Sequence, residues 1–343
     1  MIFRRRAVNV AIAFKTPQVD NSAACHAGLG VTARSIALSL SDHRIAAASL
    51  PVANGEGLWA HLAGEGSSIT HLVFCAPYID APFLGRLVRN FPAIKFALAY
   101  HSNVGFLTVD KFATGSLPKF LQLQQDCPNF SVAANSRALC DAVEQGMGRD
   151  CVYLPNLYHL TGPVVRSKPR WNHTHPLHIG LFGATRVLKN PLTAAWASLV
   201  MQRELGVPVY LHVSTGREEG GGSALENVTS ILENSPVTLA RAPWMNWDDF
   251  RRYIYGMDVM LQPSFTESFN NVTADGVNCG VPSVVSEAIT WAPHNWMANS
   301  DSVTDVARVG LDLLCDKNAP AEGYAALAAY NDEGYKSWSQ WLS

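Results

Sequence analysis

Two carboxylates eight residues apart stand just past an apolar run in the stretch Pro263-Ser264-Phe265-Thr266-Glu267-Ser268-Phe269-Asn270-Asn271-Val272-Thr273-Ala274-Asp275-Gly276. Residues 258–262 before it read as a buried strand, and the chain from Asn270 onward reads as the start of a helix. Glu267 then lies at a strand end and Asp275 about a turn into the helix. The amides of Ser268, Phe269 and Asn270 would be donors at a helix N-terminus, whose positive dipole end suits a phosphate. Carboxylates beside that terminus repel phosphate but accept hydrogen bonds from hydroxyls. One acid for a sugar and one for a ribose is the natural division. Taken singly, each acid reads more readily as a solvated loop or helix charge, so the spacing has to decide.

Other residues of the right type also fall at strand ends. Gly183-Ala184-Thr185-Arg186-Val187-Leu188-Lys189-Asn190 follows a strand at 177–182, which puts two cations where an anion would sit. Tyr100-His101-Ser102-Asn103 closes a strand at 94–100, and Trp244-Met245 follow one at 237–241, as candidates for a base pocket. Cys25-His26-Ala27-Gly28-Leu29-Gly30 forms a glycine-bearing connection ahead of a helix at 31–40. Gly28-x-Gly30-x-x-Ala33 formally fits a dinucleotide fingerprint, but residues 16–27 separate it from its strand and no acid closes the next strand. A sugar- or acceptor-facing loop is the better reading. His173, His175 and His178 lack a nearby carboxylate or Cys partner, so a solvated linker is preferred over a metal site.

These positions need a scaffold that repeats strand and helix. Strands at 7–14, 44–50, 71–75, 94–100, 130–134 and 151–154 alternate with helices at 31–40, 83–90, 117–125 and 137–146, the pattern of βαβ units and a parallel sheet. A polar, proline-bearing stretch at 161–176 reads as a linker. Alternation then resumes with strands at 177–182, 207–213, 237–241, 258–262 and 282–286, helices at 192–205, 225–232 and 247–255, and helical segments at 303–314 and 324–342. The expected fold class is α/β. The 343-residue length fits two domains, and 48% hydrophobic with 16% charged residues fits a well-buried globular chain. Seven scattered cysteines without a Cys-x-x-Cys pair point to reduced thiols and a cytoplasmic protein, with no structural zinc. Residues 1–165 carry 13 Lys and Arg against 10 Asp and Glu, whereas residues 166–343 carry 13 against 18. That asymmetry permits an acidic partner on the first half without demanding one.

The Pro263–Gly276 stretch closely resembles the signature of retaining glycosyltransferase family four. That family ends a strand with Pro-Ser-x-x-Glu-Gly-Phe-Gly, carries a second Glu eight residues after the first, and continues with Cys-Gly-x-Pro-Val-Val. Here Cys279-Gly280-Val281-Pro282-Ser283-Val284-Val285 follows, with Ser268 and Asn270 where the family has glycine and Asp275 where it has Glu. The resemblance implies a GT-B fold: two Rossmann-like domains whose parallel sheets face an interdomain cleft, with a C-terminal helix crossing back. It implies an acceptor-binding domain at 1–165, a nucleotide-sugar-binding domain at 166–310 and a returning helical tail at 311–343. His101 would face the donor sugar, and Arg186 and Lys189 would bind its diphosphate. Gly28, Gly30, Gly183, Trp244, Met245, Glu267, Ser268, Phe269, Asn270 and Asp275 would line the donor site. Asn135-Ser136 and Pro155-Asn156 match elements that end the first domain.

The expected activity is transfer of a sugar from a nucleotide-sugar donor to an acceptor hydroxyl, with retention and without metal or further cofactor. The acceptor stays open between a glycan, lipid or metabolite and a hydroxymethylated base in DNA, because the Thr266-Glu267-Ser268-Phe269-Asn270 variant and compact length also resemble bacteriophage enzymes. Lys111 and Lys119 would carry a DNA contact, with Arg4, Arg5 and Arg6 adding long-range attraction. A nucleotide-sugar epimerase or a non-catalytic binder remains the alternative class.

Overall fold

The computed structural model describes residues 8–16, 27–162, 171–219 and 223–343. Arg4–Arg6, Cys25-His26 and residues 163–170 of the expected linker lie outside them. The first series of elements is β1 (Asn9–Lys15), α1 (Ala27–Asp42), β2 (Ala46–Val52), α2 (Gly55–Ala63), β3 (His71–Cys75), α3 (Ala81–Asn90), β4 (Lys95–Tyr100), α4 (Val104–Leu107), α5 (Lys111–Asp126), β5 (Phe130–Ala134), α6 (Arg137–Met147) and β6 (Val152–Tyr153). The second is β7 (Leu177–Leu181), α7 (Pro191–Leu205), β8 (Val209–Ser214), α8 (Ser223–Leu232), β9 (Val237–Ala242), α9 (Trp247–Ile254), β10 (Val259–Gln262), α10 (Asn271–Asn278), β11 (Ser283–Val285), α11 (Val303–Cys315) and α12 (Ala319–Leu342).

The chain divides into two compact units, one of Met1–His159 with Asn331–Ser343 and the other of Leu160–Tyr330. The division at 159/160 falls just before the expected linker at 161–176. It also falls inside α12, so the expected tail at 311–343 is shared between the units and α11 belongs wholly to the second.

The first unit holds a six-stranded parallel sheet in the order β2-β1-β3-β4-β5-β6. Alternate residues of each strand feed opposite faces, as the two-residue period of a strand requires. Ala11, Ala13, Phe74, Phe96, Leu98 and Val132 pack on one side, while Val10, Ile12, Val73, Ala97 and Ala133 pack on the other with Ile36 and Leu40 of α1. The last turns of α12 close that second side: Trp338 is 1% exposed and its indole N–H donates to the Pro155 carbonyl at 2.8 Å.

The second unit holds a five-stranded parallel sheet in the order β11-β10-β7-β8-β9. Strand succession reverses between β7 and β10. In doubly wound sheets the crevice at that switch point, beyond the carboxyl ends of the strands, is where ligands bind.

Among the described residues, Cys75, Cys127, Cys140, Cys151, Cys279 and Cys315 form no disulfide. Among the described residues no three His, Cys, Asp or Glu side chains converge as metal ligands, and no helix is long and apolar enough to cross a membrane. Replacing Trp338 by Ala leaves both a cavity and an unpaired Pro155 carbonyl; the expected loss is about 3–5 kcal/mol of unfolding free energy, read by chemical denaturation.

Candidate active site

The switch point of the second unit is built from two loops fastened to each other. The loop after β7 turns at Gly183, whose φ of 110° lies where a side chain is strained. Its amide donates to Ser214 Oγ at 3.3 Å, and Thr185 Oγ1 donates to the Ser214 carbonyl at 3.2 Å, which ties this loop to the end of β8. Arg186 then leads into a single 3₁₀ turn, Val187–Lys189, before α7. The loop after β10 runs alongside: the Phe265 amide donates to the Leu188 carbonyl at 2.9 Å, and Asn190 Nδ2 donates to the Pro263 carbonyl at 3.1 Å and the Ser300 carbonyl at 2.6 Å.

This fastening brings Lys189 and Glu267 together. Lys189 Nζ donates to Glu267 Oε1 at 2.5 Å, with the two side chains 13% and 7% exposed. Burial holds the Lys189 ammonium below its ordinary range, and the Glu267 carboxylate opposes that shift. Asn270 completes the arrangement. It sits at φ 69°, the left-handed region that Asn tolerates better than most residues, which accounts for Asn where the resembled family has glycine. Its Nδ2 donates to Glu267 Oε1 at 3.3 Å and Gln262 Oε1 at 3.2 Å, while its Oδ1 accepts from the Thr273 amide at 3.0 Å and caps α10.

Arg186 lies one step further out. Its guanidinium meets Glu219 Oε2 at 2.9 Å, and Arg217 grips the other oxygen of the same carboxylate. Burial acts to raise the Glu219 carboxyl, but the two guanidiniums outweigh it and hold the group below the usual carboxylate range. Arg217 also lies over the Trp244 ring, 5.4 Å from its centroid. Met245, beside Trp244, packs on the cluster formed by Phe182, Ala242, Ile254 and Met257. Sequence reasoning did not single out Arg217 or Glu219. The available signal was a cation directly after Gly216, at the end of β8.

Several expected positions are engaged within the fold. α10 begins at Asn271, so Ser268, Phe269 and Asn270 precede the helix instead of forming its first turn. Phe269 is a core residue, stacked on Trp291 at 5.5 Å with its carbonyl accepting the Trp291 indole N–H at 2.6 Å. Asp275 is 3% exposed, and its Oδ1 accepts the Trp247 indole N–H at 2.7 Å, so it anchors the start of α9. Gly28 and Gly30 lie in the first turn of α1, which begins before the expected position. A Cβ on Gly30 would approach Phe14 Cε2 to 3.1 Å, so that glycine is explained by helix-to-strand packing. His178 lies on β7, with Nδ1 2.9 Å from His212 Nε2 in a two-histidine contact.

In the first unit His101 follows β4. Its Nδ1 is 3.3 Å from Asn135 Nδ2, and Asn135 Nδ2 donates to Asn156 Oδ1 at 3.2 Å. Asn135 and Asn156, the matched ends of that domain, therefore position the imidazole. Burial pushes His101 down to about 4, so the ring is neutral at physiological pH and can exchange hydrogen bonds with a hydroxyl without carrying charge.

No protein-family model matches the chain, and no curated protein matches it in sequence. Solved structures do. Anabaena Alr3699/HepE in complex with UDP is 16% identical over 97% of this chain and 100% of that one, with a TM-score of 0.59; its complex with UDP-glucose is similar at a TM-score of 0.60. Sucrose-phosphate synthase (tll1590) from Thermosynechococcus elongatus is 13% identical over 97% of this chain and 96% of that one, with a TM-score of 0.62. A Staphylococcus aureus TarM mutant structure is 10% identical with a TM-score of 0.54, and this chain spans about half of it, 55%. With two doubly wound units in one chain, these likenesses define the fold as GT-B.

His71, at the start of β3, is also lowered to about 4, by burial and then by Lys95. As pH falls below 6.5 the unfolded chain protonates its histidines, while these two stay neutral in the native state until about pH 4. Stability is therefore lost as pH drops through that window. Thermal unfolding followed between pH 7 and 4.5 should show this decline, and His71→Asn with His101→Asn should flatten it.

Proposed function

We propose that the chain is a glycosyltransferase that moves a sugar from a nucleoside-diphosphate donor to an acceptor hydroxyl. The observation that carries this reading is the Lys189–Glu267 pair at the switch point of the second sheet, with Arg186 beside it. UDP and UDP-glucose in the similar HepE structures support a uridine donor.

In this mechanism the bond between the anomeric carbon and the diphosphate oxygen breaks. Negative charge develops on the leaving phosphate, and fixed cations stabilise it where it forms. Lys189 exchanges its carboxylate partner for the diphosphate; Glu267, released from the lysine, accepts hydrogen bonds from the sugar hydroxyls. Arg186 and Arg217, held together by Glu219, add to the field. The neutral imidazole of His101 is assigned to the sugar by its resemblance. The acceptor hydroxyl attacks on the face the diphosphate leaves and its proton passes to the departing phosphate oxygen, so configuration is retained. The first unit is assigned to the acceptor and the second to the donor. The fixed cations make a divalent metal unnecessary.

Because the pair is buried, removing one partner leaves an uncompensated charge, with a cost of about 3–5 kcal/mol. Glu267→Gln and Lys189→Met keep side-chain size and remove the charge; each carries that cost and is checked for folding before assay. Each should lower transfer by about a hundredfold or more, and wild-type transfer should survive EDTA. Wild-type rates in both variants, or loss in EDTA restored only by magnesium or manganese, would contradict the mechanism. Incubating donor without acceptor separates the alternatives: a transferase gives slow hydrolysis, an epimerase a new nucleotide sugar, and a binder neither.

A further inference from the structure

Exposed apolar side chains gather on the segment that follows His101. Val104, Val109 and Phe112 are 46%, 56% and 58% exposed, and they lie within nine residues of one another. The segment is ordered by its own bonds. Asn103 caps α4 and accepts from Ser136 Oγ at 3.3 Å, Thr114 Oγ1 donates to the Leu107 carbonyl at 2.8 Å, and Asp110 Oδ1 accepts from the Ala113 amide at 2.9 Å. Residues 104–119, from α4 through the first half of α5, thus form one ordered segment. Its outer residues also include Lys111 and Lys119, both exposed, while Asp110, the acid beside them, is engaged with the helix terminus.

That combination discriminates between partners. Duplex DNA is gripped through phosphates by cations and hydrogen-bond donors, and three protruding apolar groups among the lysines contribute nothing to that. An anionic bilayer uses both features: apolar side chains enter the headgroup boundary while lysines meet the lipid charge. We propose that the surface formed by Val104, Val109, Phe112, Lys111 and Lys119 docks on an anionic lipid membrane. On the glycosyltransferase reading, this makes the acceptor a hydroxyl presented at a lipid surface, close to the carboxyl ends of the first sheet.

The test is sedimentation of the full-length protein with phosphatidylcholine vesicles, with and without phosphatidylserine, and no sugar donor present. Binding should require phosphatidylserine and weaken with salt. Phe112→Ser with Val109→Ser should reduce partitioning by about tenfold. Lys111→Glu with Lys119→Glu should reduce it by about tenfold or more, because each lysine at an anionic surface contributes a factor of about five. All four substitutions are at exposed positions, and unchanged thermal unfolding and UDP binding would show that fold and donor site persist. No binding to anionic vesicles would overturn the proposal, as would vesicle binding indifferent to both variant pairs. Duplex DNA binding sensitive to the lysines but not to Phe112 would replace it with a nucleic-acid surface. Because the readout uses no donor and no turnover, failure here leaves the transferase reading standing, and absent UDP binding would count against that reading alone.

Discussion

Burial pulls the Lys189 ammonium below its ordinary range while the Glu267 carboxylate beside it pulls the other way, and the rest of the second unit is arranged around that pairing. Lys189 and Glu267 come from loops 78 residues apart in sequence, after β7 and β10. Holding them together needs the backbone bond from Phe265 to Leu188, the Asn190 side chain bridging to Pro263, and Asn270 in a left-handed conformation under Glu267. The doubly wound order of the sheet places β7 next to β10, so the pair falls at the switch point because of topology and not because of local sequence.

The same logic governs the outer cations. Arg186 and Arg217 share Glu219, so one carboxylate holds both guanidiniums in place. Preorganisation of this kind avoids reorganisation when charge develops on a leaving group. The first unit shows the uncharged counterpart. His101 is kept neutral by burial and aligned through Asn135 and Asn156, suiting contacts with hydroxyls.

The alternation of apolar strands with helical segments was legible because parallel strands buried on both faces read as short continuous apolar runs. β3 and β5 fall at the expected residues. α5 begins six residues earlier than expected because Pro118, which reads as a first-turn proline, is carried inside the helix. α2 escaped notice: Gly55 and Gly57 open it, and its start is secured by Asn54 accepting from the Gly57 amide. At the site, Glu267 and Lys189 were legible from motif spacing. Asp275 illustrates the limit, since spacing identifies an acid but not that its oxygen already holds the Trp247 indole. Arg217 and Glu219 were not legible, because the link from Arg186 through Glu219 to Arg217 depends on the loops after β7 and β8 lying side by side, bridged from Thr185 to Glu218.

The central claim is that the diphosphate takes Lys189 from Glu267. Calorimetric titration of UDP into wild-type protein and Glu267→Gln tests it most directly. With the competing carboxylate neutralised, the lysine is left without its anion, and UDP should bind the variant more tightly, by roughly tenfold for each 1.4 kcal/mol of competition removed, while transfer is lost. Weaker UDP binding by a folded Glu267→Gln variant would contradict the account, because Glu267 would then be supporting the nucleotide instead of competing with it.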